Sequence, residues 1–93
     1  MTRPAWAEGD HAEWWDALPA KVKEATIAFP PGIYHRRDIP DRKYWLVSYE
    51  EMLDGSITVT AESRHPALPG ILDRTVFGIP LTDLVPIKTV ADA

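Results

Sequence analysis

Hydrophobic positions along the chain follow two periods, and the change between them divides the sequence. Near the N-terminus the apolar residues Trp15, Leu18, Val22 and Ala25 recur at spacings of three, four and three. This is a single stripe along a helix. Asp10 opens "DHAEWWDAL" with Glu13 three residues later, a capping-box pattern with Asp in place of Ser or Thr. Pro19 falls inside the stripe, so the pattern predicts one short helix ending near Leu18 and a second with Pro19 in its first turn. Residues 10–25 are therefore expected to be helical with a break. Residues 1–9 carry no period and predict a loose arm.

Beyond "FPPG" the period shortens to two. Pro31-Gly32 suits the centre of a type II turn, and Ile33 to Arg37 then reads as a first strand. "DIPDR", residues 38–42, is expected to be a loop and residues 43–50 a second strand. Asp54-Gly55 separates that strand from the β-rich "SITVTAES". After the irregular "RHPALPGILD", the run "RTVFGI" and the segment following "PLTD" read as two last strands. The expected fold is one α+β domain: an N-terminal helical segment packed on a strongly bent antiparallel sheet of four to five strands spanning residues 26–90.

Register then predicts a buried face. A two-residue loop at Asp54-Gly55 puts the apolar sets Trp45, Val47, Tyr49 and Ile57, Val59, Ala61 on opposite faces. A three-residue loop, Leu53-Asp54-Gly55, pairs 49 with 59 and 47 with 61 and unites them. Gly55 then takes the left-handed position. The first hairpin, with 38–42 as its loop, pairs Ile33 with Val47 and His35 with Trp45. The expected core face holds Ile33, Trp45, Val47, Tyr49, Ile57, Val59 and Ala61. Tyr34, Arg36, Tyr44, Leu46 and Arg64 point the other way.

Composition narrows the class. Ninety-three residues make one domain, able to bury roughly 60–65% of its unfolded surface. The net charge of -4 opposes wholesale coating of DNA or an anionic membrane. The absence of cysteine excludes disulfides, thiolate metal sites and a cysteine nucleophile. Apolar runs reach only a few residues, too short for a membrane span, and a cytoplasmic protein is the expectation. Near the C-terminus, "FGIPLTDLVPI", residues 77–87, resembles the end of SH3 domains: Gly78, Ile79 and Pro80 precede a Thr82-Asp83-Leu84 turn and a last strand. The resemblance implies a small, curled SH3-like barrel. The acidic-aromatic opening motif of SH3 domains is missing, so it does not imply binding of Pro-rich peptides.

Two groups of residues carry candidate chemistry. Arg36 and Arg64 are expected to flank Tyr44 on the outer face, with Arg37, Arg42, Lys43 and His65 at the same end of the sheet. Guanidinium groups beside an aromatic ring can hold a phosphate, a carboxylate or a stacked base. Against this stands the plainer reading that Asp38, Asp41 and Asp73 neutralise a solvated rim. Second, neighbours on a helix diverge by about 100 degrees, so Trp14 is peripheral if Trp15 is inside. Together with Trp6 it forms a candidate partner surface, or else it only covers a sheet edge. Enzymatic signatures are weak. His11, His35 and His65 lack metal-ligand spacing, Glu50 and Glu51 point to opposite faces of a strand, and no serine lies in a nucleophile elbow. The expectation is a non-catalytic accessory protein, suited to a phage or mobile element, without cofactor or metal. It acts through a protein partner or a copy of itself. The alternative is nucleic-acid or phosphorylated-ligand binding at the Arg/Tyr patch.

Overall fold

The computed structural model describes residues 2–65, 67, 68, 70, 71 and 73–92. The N-terminal third forms two 3₁₀ turns, Ala5–Ala7 and Gly9–His11, then helix α1 (Ala12–Asp16) and helix α2 (Ala20–Ala28). Pro19 separates the helices as expected. Its extended backbone (ψ 154°) cannot continue α1, and its carbonyl accepts the Lys23 amide at 2.9 Å to start α2. α2 runs past the expected end at residue 25 and stops only before Pro30-Pro31. Asp10 is not an N-cap: it lies within the second 3₁₀ turn, and no side chain caps α1. Residues 2–9 are not loose either. Arg3 donates to Glu8 at 3.1 Å and forms a forked ion pair with Asp16, and Ala7 is fully buried.

Three of the four stripe positions bury. Trp15, Val22 and Ala25, with Thr26 beside them, are inaccessible to solvent or nearly so, Leu18 is half-buried, and α2 lies against the second and third strands. A buried indole must still find an acceptor. Trp15 Nε1 donates to Thr26 Oγ1 at 2.9 Å, and that hydroxyl donates to the Lys23 carbonyl at 2.7 Å.

Five antiparallel strands follow: β1 (Gly32–Arg36), β2 (Ile39–Glu51), β3 (Ile57–Arg64), β4 (Arg74–Pro80) and β5 (Leu84–Thr89). Their order is β4-β3-β2-β1-β5, so the sheet is open, with β4 and β5 at its edges. A 3₁₀ turn, Leu81–Asp83, joins those two edges, and another, Val90–Asp92, follows β5. The expected loop at 38–42 is mostly strand: β2 begins at Ile39 and the turn is Arg37-Asp38 alone. Gly32 is not the centre of a turn. It begins β1 pressed against β5, where a Cβ would stand 2.4 Å from the Lys88 carbonyl oxygen.

The three-residue loop forms as expected. Met52 and Ser56 pair, Gly55 N–H donates to the Met52 carbonyl at 2.9 Å, Gly55 has φ 87°, and Tyr49 faces Val59. Three residues further along β2 the expectation fails. Ser48 pairs with Thr60 but Leu46 pairs with Ala61, leaving Val47 as an extra, bulged residue. One inserted residue reverses every side chain beyond it. Tyr44 and Leu46 therefore join Tyr49 on the core side, while Trp45 and Val47 leave it. The core is Tyr34, Tyr44, Val59, Ala61, Ile79 and Leu84, with Phe29, Leu46, Tyr49 and Val76 packed around it. Ile33 and Trp45, expected in the core, are only partly buried, and Val47 is 58% exposed. On the other side of β3, Phe77 and Gly78 (φ 68°) together oppose Thr60 in a second bulge. Bulges flanking β3 at one level bend the sheet there.

Candidate functional site

The cationic row expected on the outer face does not assemble. Tyr44 is 1% exposed and belongs to the core. Arg36 pairs with Asp83, Nη2 to Oδ2 at 2.6 Å, and also engages Tyr44. Arg37 donates its amide to the Asp83 carbonyl at 2.9 Å and its Nε to the Thr82 carbonyl at 2.7 Å. These two arginines clamp the β1–β2 turn onto the Leu81–Asp83 turn. Arg64 stands on the opposite face from Tyr44, stacked 4.7 Å over the Trp45 ring and 3.5 Å from Glu62. Lys43 lies directly across from Arg64. Arg42 donates to the buried Ser63 hydroxyl. His65 turns inward on its own loop, where Nδ1 accepts the Ala67 and Leu68 amides at 3.1 and 3.2 Å. The bulge at Val47 divides the row by moving Tyr44 to the other face. What is left at this end is a shallow pocket of about 270 Å³, in which Arg64 and Arg74 face Glu62 and Asp73.

The two peripheral tryptophans fare differently. Trp6, from the first 3₁₀ turn, and Trp14, from α1, line one cavity of about 300 Å³ together with His11. Its other walls are Pro31 ahead of β1, Leu46, Val47 and Tyr49 of β2, and Val90 after β5. A second hollow of about 310 Å³ shares Trp6 and Val90 and extends the groove past Ala5 and Ala91. Local structure explains each contribution. The Arg3 bridge to Glu8 and Asp16 ties the Trp6 turn to α1. The Val90 amide donates to the Pro31 carbonyl at 3.0 Å, closing the floor between β1 and β5. Tyr49 is fixed by its hydroxyl, which donates to the Phe29 carbonyl at 2.6 Å. The Tyr34 hydroxyl does the same to the Pro30 carbonyl at 2.6 Å. Burial pushes both phenols well above the usual tyrosine range, so both remain neutral donors.

Val47 completes the groove because the bulge turns it outward, which is how bulges commonly re-aim a side chain at a site. Among the described residues, no Lys, Arg, Asp or Glu lines the cavity. Its chemistry is that of an apolar, aromatic-walled receptor with an imidazole as the one titratable wall besides the locked phenol. The sequence pattern singles out Trp6 and Trp14, which the fold brings to one cavity. It gives no sign of Val47, Leu46 and Tyr49 there, because the alternation of β2 carries no mark of where the extra residue falls. No cluster of potential metal ligands occurs among the described residues, and no helix among them is long and apolar enough to cross a membrane. No protein-family model, curated protein or solved structure is significantly similar to this chain.

Proposed function

We propose that this is a non-catalytic binding protein whose Trp6–Trp14 groove receives apolar side chains of a protein partner. One observation carries this reading: two tryptophans from separate N-terminal elements and a bulge-extruded valine converge on a single uncharged groove. Trp14 is 41% exposed and Val47 58%, both far outside the range of core residues. An exposed tryptophan and a half-buried one set around a preformed concavity are the usual kind of anchor in a binding surface. The strand order β4-β3-β2-β1-β5 with a 3₁₀ turn between the edge strands supports an open, SH3-like barrel as its scaffold.

Affinity capture from the native host, followed by mass measurement of the intact complex, tests this. The partner retained by the wild type should be lost with Trp14→Ala and with Val47→Asp, and kept by Arg64→Ala. A partner lost with Arg64→Ala and kept by both groove variants overturns it. A second reading, an anion site for a phosphorylated ligand or nucleic acid, rests on Lys43 facing Arg64 across β2 and β3 with Arg74 nearby. Fluorescence anisotropy with labelled single-stranded DNA and RNA at low salt decides it, since binding must weaken with salt and vanish in Lys43→Ala/Arg64→Ala.

A further inference from the structure

The groove is uncharged but its surroundings are not. Glu8, Asp10, Glu13 and Asp16 all stand within two residues of Trp6, His11 or Trp14, on the short elements that form one wall. Glu51 follows Tyr49 by two positions on the opposite wall, and Asp92 follows Val90 by two at the far end. Glu50 is also near in sequence, but it turns to Ser48 and Thr60, its Oε1 accepting both hydroxyls at 2.7 Å. Lys88 is the one cation within two residues of any lining position. Arg3 is engaged by both Glu8 and Asp16, so that trio contributes one net negative charge to the wall beside those of Asp10 and Glu13. The other cations of the sheet gather around the β1–β2 turn (Arg36 to Lys43), the end of β3 (Arg64) and the start of β4 (Arg74), and none of them lines the groove.

Resting on the groove reading above, we infer that the partner is a basic segment of another protein: bulky apolar anchors that fill the groove, flanked by Lys or Arg that meet its acidic rim. An acidic rim around an uncharged receptor selects by charge sign. It raises the encounter rate of a cationic segment and repels an anionic one, while the apolar floor supplies the burial. The same rim opposes self-docking of the most exposed apolar knob among the described residues, Leu53 at the β2–β3 apex, because Glu51 and Asp54 flank it.

The test is selection of a random peptide library displayed on phage against the full chain, followed by anisotropy on the labelled consensus peptide. Recovered sequences should combine Leu, Phe or Trp with Lys or Arg. The synthetic consensus should bind at least about tenfold more tightly than its counterpart with Glu in place of the basic residues, and that gap should shrink as salt passes a few tenths molar. Asp10→Lys/Glu13→Lys should narrow the gap, with a thermal melt confirming the fold, and Trp14→Ala should abolish binding. Peptides recovered without charge preference, yet lost with Trp14→Ala, overturn the basic-partner inference and leave the groove reading standing. Peptides whose binding ignores Trp14→Ala and Val47→Asp overturn both, as does failure of every peptide to bind. A dimer in sedimentation that disappears with Trp14→Ala overturns the inference in favour of a second copy.

Discussion

Leu46 and Val47 are adjacent aliphatic residues that a single inserted position sends to different environments. Leu46 packs against the core, whereas Val47 is 58% exposed at the groove. Leu46→Ala should therefore cost about 2 kcal/mol, in the lower part of the range for truncating a buried leucine. Val47→Ala should stay within about 0.5 kcal/mol, as surface changes do. Denaturant titration of the two variants checks this, and equal costs would mean that the β2 bulge does not form. Gly55 carries the companion test one turn away. At φ 87° a β-branched residue is forced into the left-handed region, and Gly55→Val should cost more than about 1 kcal/mol. Lys21 Nζ, which a Cβ there would meet at 2.8 Å, can swing aside, so the loss reports backbone strain and not a clash.

Among the elements, the helical unit depends on one buried polar relay. Trp15 Nε1, Thr26 Oγ1 and the Lys23 carbonyl form a chain linking α1 to α2 across the Pro19 break. Thr26→Val keeps the shape and strands the indole N–H without an acceptor, at a cost of about 1–3 kcal/mol. Thr26→Ser should recover most of it, and thermal unfolding of both variants reads the difference. A cost shared equally by the serine variant would assign the effect to packing. Such relays are invisible in sequence, but the stripe that buries them is not: Trp15, Val22 and Ala25 were legible from period alone, and so was the break at Pro19. Gly55 likewise marked the β2–β3 loop and gave the pairing of Tyr49 with Val59. Legibility ended at Val47, since alternation extends a face only until a residue is inserted. That one residue misplaced Tyr44 and Leu46 and set up a cationic row that the fold divides. The N-terminal arm was misread for another reason: what orders it, the fork of Arg3 on Asp16, is a contact thirteen positions apart.

Across the whole molecule, charge and edge structure both bear on self-association. Exposed sheet edges invite pairing between copies unless something blunts them. Here β5 carries Pro86 in mid-strand, which removes a donor, and β4 is interrupted by the Phe77–Gly78 bulge opposite Thr60. Strand-to-strand dimerisation is thus opposed at both edges. Electrostatics act in the same direction: the net charge is -4, carboxylates gather around the groove, and Arg36, Arg37, Lys43, Arg64 and Arg74 stand among Asp38, Asp41, Glu62, Asp73 and Asp83. Copies should repel at low salt, weakly at physiological ionic strength, where exposed charges are screened beyond about 8–10 Å. Sedimentation equilibrium at micromolar concentration should find a monomer at about 0.15 M salt and no rise in mass at about 0.01 M. A rise at low salt that diminishes with Asp10→Lys/Glu13→Lys would show instead that charge draws copies together. A dimer that persists at high salt would require an apolar interface, and the exposed Phe77 beside the β4 edge, 75% accessible, would be the first residue to substitute.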